Sequence, residues 1–238
     1  MARATWDQVG EKRYELGVDH GMVYVMKAMN YGKGVPWNGL TAVNENPSGA
    51  ESNKSYADNI EYANILSAEE FGATIEAFTA PDEFKECDGF SQPVAGVFIG
   101  QQNRTKFGFS YRTKLGNDTE DQDFGYQIHI IYGAQASPSE RSRSTINENP
   151  ELMTLSWEVS TTPVPVPGYK PTAHLIFDST ILSAEQMKKI EDILYGTDGE
   201  TVPPTEEGGE PTTTGGTDPK LPMPKEIIEI LGAVEVQG

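Results

Sequence analysis

The sequence predicts a mainly β fold, an antiparallel β-sandwich or barrel with a flanking α-helix and a flexible acidic C-terminal tether. Three observations carry this. Alternation of branched and aromatic residues with period 2 runs from residue 13 to residue 178. Clusters of Gly, Asn, Asp and Pro punctuate it at short intervals, as in hairpin wiring. Helical spacing is prominent in one stretch near residue 190, so the strand and helix alternation of a parallel sheet is missing.

In chain order, Met22, Tyr24 and Met26 alternate with Val23 and Val25 and form the first strand. Asn38 to Asn59 is polar, with little apolar alternation after Val43, and reads as an extended loop or arm. A structureless loop of that length is uncommon in a compact domain unless it has a task or is disordered. Phe71 to Phe78 fits two templates, because Ser67 and Glu70 resemble a helix capping box while Phe71, Ala73, Ile75 and Ala77 alternate as a strand. Pro81 follows at once and would leave a very short helix, which favours the strand. Val94 to Gln101 is the next strand, and Gln101 to Arg104 turns into Phe107, Phe109 and Tyr111. After a polar loop from Leu115 to Asp123, Tyr126, Ile128, Ile130 and Tyr132 share one face, with His129 on the other. Leu152 to Thr161 and Ala173 to Phe177 complete the strands. Ser183 and Gln186 then open a helix over residues 183–195, with Met187, Ile190 and Leu194 on its apolar face and Gly196 at its end.

Three parts follow from this reading. Residues 1–196 form the β domain with its helix. Residues 197–220 are nearly all Thr, Gly, Pro, Glu and Asp, too poor in apolar surface to offset the entropy of ordering, and are expected to be a dispensable linker. Residues 221–238 form a C-terminal segment in which Ile227, Ile228, Ile230 and Leu231 have the content to dock as a short helix or strand.

Charge narrows the function classes. The 238 residues carry 36 acidic against 18 basic side chains, a formal net charge of -18, which argues against a surface built to grip phosphate backbones or anionic lipid. No run approaches the roughly 18 apolar residues of a membrane span, and the first residues lack the apolar core of a signal peptide, so folding in a cytoplasm and no membrane partner are expected. Cys87 is the only cysteine; a buried small side chain is its simplest reading.

No constellation of catalytic residues stands out, and the chain is expected to be neither an enzyme nor a cofactor or metal binder. Asp118, Glu120, Asp121 and Asp123 are clustered carboxylates, but their spacing departs from an EF-hand and suits a solvated hairpin tip. His20, His129 and His174 lie on separate strands or turns without the helical spacing of a zinc motif, which predicts packing or surface roles. Gly32-Lys33-Gly34 matches neither phosphate-loop fingerprint, and no Gly-x-Ser-x-Gly elbow occurs.

Several blocks nevertheless resemble the major tail protein family of siphophages that infect Gram-positive bacteria. They are Tyr31-Gly-Lys-Gly-Val-Pro-Trp-Asn-Gly-Leu40, Tyr56-Ala-Asp-Asn59, Glu70-Phe-Gly-Ala-Thr-Ile-Glu-Ala-Phe78 and Pro81-Asp-Glu-Phe84. The set continues with Arg112-Thr-Lys-Leu-Gly116, Gly125-Tyr-Gln-Ile-His-Ile-Ile-Tyr-Gly133, Ala136-Ser-Pro-Ser-Glu140, Asn149-Pro150, Trp157-Glu158, Lys170-Pro-Thr172 and Tyr195-Gly196. Their specificity lies in the collinear order over residues 10–196. The resemblance implies a structural virion protein of the phage tail whose subunits close hexameric rings, the rings stacking into a tube for DNA ejection. It also implies a tape measure protein in the lumen, and tail terminator and distal tail proteins at the ends. DNA would pass transiently without tight binding, and acidic walls suit that passage.

Within this frame the Asn38–Asn59 stretch is expected to reach a neighbouring subunit. Its candidate interface residues are Trp37, Asn44, Glu45, Asn46, Asn53, Lys54 and Tyr56. Two other classes remain beside it: a monomeric β-sandwich module binding surface carbohydrate, and a carboxylate-dependent hydrolase, for which no acid pair is marked out.

Overall fold

A computed structural model describes residues 3–146, 148, 152–202 and 212–232, with backbone alone for 200–202 and 212–214. The chain opens with β1 (Tyr14–Lys27), β2 (Asn30–Tyr31), β3 (Val35–Trp37) and β4 (Leu40–Glu45). Next come β5 (Ser48–Gly49), β6 (Ser52–Ala57), β7 (Ile60–Leu66) and β8 (Glu69–Glu70), which leave the domain and return to β9 (Gly72–Ala77). A 3-10 turn at Asp82–Glu86 precedes β10 (Ser91–Val94) and β11 (Val97–Ile99). The two long strands β12 (Phe107–Asn117) and β13 (Asp121–Ala136) are followed by β14 (Leu155–Ser160), β15 (His174–Asp178) and α1 (Ala184–Tyr195). The chain ends in β16 (Glu200–Val202), β17 (Thr212–Thr214) and α2 (Pro224–Leu231).

Nine strands form one antiparallel sheet in the order β2-β1-β12-β13-β14-β9-β4, with β3 added to β1 and β15 to β13. No ladder joins β4 back to β1 among the described residues, so the fold is a sandwich and the barrel alternative is not realised. The doubling back occurs along β13. Its residues Gln127–Ile131 pair with β15, whereas Gln135 and Ala136 pair with β14. Gly133 sits between the two partners at φ +57°, where an added Cβ would run into the Thr162 carbonyl oxygen. Glycine is required there both for the left-handed backbone and for the close approach.

Two hydrophobic clusters lie on opposite faces of the central strands. Val23 and Val25 of β1 face the first; Met22 and Tyr24 face the second, and all four are buried, as in a strand covered on both sides. The first cluster is aromatic: Trp37 lies 4.4 Å from Phe84 and 5.3 Å from Trp157 between ring centroids. These edge-on and tilted pairs add to area burial worth about 1.5–3 kcal/mol per large side chain. The second cluster joins Ile128, Ile130 and Tyr132 to Met187, Ile190 and Leu194 of α1. The helix starts as its sequence specifies, with the Ser183 hydroxyl accepting from Gln186 N and the Gln186 side chain accepting from Ser183 N.

Four sequence expectations change. Asn38–Asn59, read as an extended loop or arm, is an arm built of strands: it holds β4, β5 and β6, the last being half of a projecting hairpin. Val94–Gln101 is not one strand: β10 and β11 fold against each other around Ala95-Gly96. The strands flanking the Leu115–Asp123 loop reach further than expected, leaving a turn of Asp118–Glu120. Most consequentially, the chain after Gly196 returns to the domain. Thr197 pairs with Thr217, Pro219 accepts from Gly34 N at 2.9 Å, and Lys220 N donates to Ile193 O at 2.8 Å. Leu221 and Ile227 are buried in the second cluster. Gly108 of β12 makes room for Leu221, whose methyl group occupies the place of a Cβ. Residues 203–211 of the expected linker and 233–238 of the C-terminal segment lie outside the described residues.

Candidate functional site

The hairpin of β6 and β7, continued at its root by β5 paired with β8, projects from the sheet between β4 and β9. Its tip is a two-residue turn, Asp58-Asn59, with φ values of 49° and 66° between the paired residues Ala57 and Ile60. Both residues are thus left-handed, the turn class that matches strand twist and favours Asn and Asp. Cross-strand polar contacts hold the arm: Lys54 Nζ to Glu61 Oε2 at 2.8 Å, Ser52 Oγ to Asn64 Oδ1 at 2.6 Å, and Glu51 N to Ser67 Oγ at 2.9 Å.

Nearly all of the arm is solvent-facing. Tyr56 is 67% exposed, Ile60 63%, Tyr62 76%, Ile65 65% and Leu66 66%. Large apolar side chains scattered singly on a surface need no explanation; here five of them gather on one thin element.

The seven sequence candidates separate into four sets. Asn53, Lys54 and Tyr56 lie on the exposed strand β6. Asn44 and Asn46 lie at the arm's root, where their side-chain amides donate to Glu76 Oε1 at 3.4 Å and Thr74 Oγ1 at 3.1 Å. Trp37 belongs to neither group. Its ring is 2% exposed and its Nε1 donates to Thr79 O, so it is a core residue and not a surface anchor.

Glu45, the last residue of β4, reaches into a cluster that sequence reasoning did not foresee. His129 pairs with Ile176 across β13 and β15, and Ile131 with His174, which makes the two histidines diagonal neighbours on one face. Their facing nitrogens, His129 Nδ1 and His174 Nε2, are 3.3 Å apart. Glu45 Oε1 comes from the opposing layer to 3.5 Å from each, and accepts from Tyr111 Oη at 2.6 Å. Tyr111 stacks on His129 with centroids 4.6 Å apart, and Phe71 stacks on His174 at 4.5 Å. Burial pushes the proton affinity of both imidazoles down, against the pull of the neighbouring carboxylates, most directly Glu45. No local motif announces this trio, because strand pairing sets the two histidines together and layer packing brings Glu45 to them.

Other polar groups have plain structural roles. Asp88 is held by Arg104 Nη1 at 3.3 Å and by Arg141. Asp19 accepts a forked pair from Arg112, 2.8 and 3.0 Å. Cys87 is buried, and desolvation with Glu86 and Asp88 nearby pushes its thiol up to about 12, the condition of an inert cysteine. In the acidic loop, Asp118 Oδ1 accepts from Gly10 N and Asn117 Oδ1 accepts from Thr119 N and Glu120 N. Those carboxylates form no ligand cluster among the described residues. No helix among the described residues is long and apolar enough to cross a membrane.

No protein family model matches the chain, and no curated protein matches it. Among solved structures it is similar to a chain of the anti-feeding prophage baseplate determined by cryo-electron microscopy. That chain is 8% identical, with a TM-score of 0.35, over 75% of this chain and 100% of the other. Similarity at that level carries no functional argument.

Proposed function

We propose that this protein is a structural subunit of a phage-type tail, closing hexameric rings that stack into a tube for DNA, and that its role is assembly and not catalysis. The observation that carries the reading is the projecting arm: a hairpin whose Tyr56, Ile60, Tyr62, Ile65 and Leu66 stay bare in the single chain. A second copy of the chain is the occupant that buries them, with the polar strand β6 making contacts at the rim. Support comes also from the collinear resemblance of residues 10–196 to siphophage major tail proteins, and from the excess of 36 acidic over 18 basic side chains, which disfavours adhesion of DNA to the walls of a channel. Tape measure protein within the tube, and terminator and distal tail proteins at its ends, are the remaining partners in this reading, and the assembled particle is its location.

The test is electron microscopy and sedimentation of the purified chain at rising concentration and near-physiological salt. Rings or tubes with a central channel are expected. Replacing Asn53–Ile65 by a short Gly-Ser turn should leave the folded subunit intact and abolish tube growth. A chain that stays monomeric throughout, or tubes that form normally without the arm, would count decisively against the proposal; a monomer that bound glycans would point to the surface-binding module instead.

A further inference from the structure

We infer that Glu45, His129 and His174 form a binding site for one first-row divalent metal ion, zinc foremost, which fastens the root of the arm to the sheet. The inference stands on the geometry of the trio and is independent of whether the chain forms tubes.

Three donor atoms from three strands meet with edges of 3.3, 3.5 and 3.5 Å. A tetrahedral zinc with ligands at its usual 2.0–2.1 Å separates them from one another by about 3.4 Å. As hydrogen bonds the same contacts are poor. The two involving Glu45 lie at the outer limit for an N–H to oxygen bond, and this oxygen already accepts a short one from Tyr111. The three atoms therefore stand at the spacing of ligands around one ion.

The surroundings match what a metal requires of its ligands. His129 Nε2 lies 3.1 Å from Thr113 Oγ1 and 3.6 Å from Glu15 Oε1, acceptors that can keep the proton on that nitrogen and leave the Nδ1 lone pair free. Tyr111 orients the carboxylate in the same way. Side-chain exposures of 5% for His129 and 13% for His174, against 35% for Glu45, put the imidazoles inside and the carboxylate toward the surface, the side from which an ion with a water as fourth ligand would enter. Two imidazoles and one carboxylate suit zinc, iron, nickel or copper ions, and not calcium or magnesium, which prefer all-oxygen shells.

Position gives the site its meaning. β5 of the arm begins at Ser48, three residues after Glu45, and Phe71, stacked on His174, is the first residue beyond β8. A metal here ties the strand that leaves for the arm to β13 and β15, beside the point where the chain returns.

The full-length chain, stripped with chelator and titrated with ZnCl2, should bind one ion per chain by calorimetry and elemental analysis, and its melting temperature should rise on binding. With Co2+ the site should give the intense visible bands of a tetrahedral ion. His174→Ala and Glu45→Gln should each weaken binding by at least about tenfold, the scale of losses seen even for outer partners, and His20→Ala should change nothing. Absence of Zn2+ binding at millimolar metal, or binding that neither variant weakens, would overturn the inference. If His174→Ala fails to fold, the isosteric Glu45→Gln decides, and should both fail, an octahedral or absent Co2+ spectrum of the unaltered chain refutes the site.

Discussion

The strand β9 and the arm strand β6 each span six residues and belong to antiparallel pairs, yet they have opposite fates. In β9 alternate side chains Ala73, Ile75 and Ala77 are fully buried between layers; in β6 every residue is exposed. The difference is in what stands opposite each face. β9 lies between β14 and β4 above an aromatic core, whereas the hairpin of β6 and β7 has only its own two strands. An isolated two-stranded hairpin is marginal in water, so the arm's order depends on turn geometry, cross-strand polar contacts and whatever covers its tyrosines and isoleucines.

Truncating the core should have the largest effect. Trp157→Ala is expected to cost about 3–5 kcal/mol by urea or thermal unfolding, whereas Tyr62→Ser in the arm should stay within about 0.5 kcal/mol. A cost for Tyr62→Ser near that of the core change would erase the contrast. Next in size is the C-terminal return: Leu221→Ala should destabilise by about 2–5 kcal/mol, although composition alone marks the preceding residues 197–220 as dispensable. Full stability in that variant would move the segment from the core to the arm's side of the comparison.

A smaller effect belongs to the core and depends on pH. Burial raises the phenols of Tyr24 and Tyr132 well above their ordinary value of 10, and their hydroxyls donate to Leu194 O and Pro222 O. A group whose folded pKa is raised contributes stability that is fully present below its unfolded pKa and is lost as pH rises toward the folded one. Unfolding free energy should therefore decline above pH 10, and Tyr132→Phe should flatten that decline at a cost of about 1 kcal/mol at neutral pH.

The smallest expected effect concerns Asp19. Its hydrogen bond to Arg112 holds the carboxyl below its ordinary value of 3.8, against the opposing effect of burial. This stability is present above that pH and fades as the medium is acidified through the lower folded pKa. The pair is partly exposed, so Asp19→Asn should cost no more than about 1 kcal/mol after screening, seen as a shallower acid limb in a stability profile.

Much of the domain was legible because alternation survives wherever one layer packs on another. The Tyr126, Ile128, Ile130 and Tyr132 series, the opposite orientation of His129, and the helix beginning at Ser183 all appear as read. The strands of the arm are hidden because β6 has no burial to impose a pattern; Asp58-Asn59, a two-residue hairpin turn, is the available signal. Docking of Leu221 is invisible to composition, since one leucine among Pro and Lys reveals itself only beside Gly108. The Glu45, His129 and His174 trio was equally hidden: its members are 84 and 45 positions apart by sequence number, the register of β13 with β15 sets the histidines on one face, and the opposing layer brings Glu45 to them.

The ladder of β16 and β17 has a use beyond stability. It holds Val202 and Thr212 side by side, so any peptide spliced between them would begin and end at nearly the same point. Lengthening a flexible closed loop costs only about 0.6 kcal/mol per doubling. The bridge of Thr197 to Thr217 and the anchoring of Pro219 and Lys220 would then keep the strain of such a graft from reaching Leu221. This makes the stretch a natural splice point for an epitope or a reporter domain, presented once on each copy of the chain.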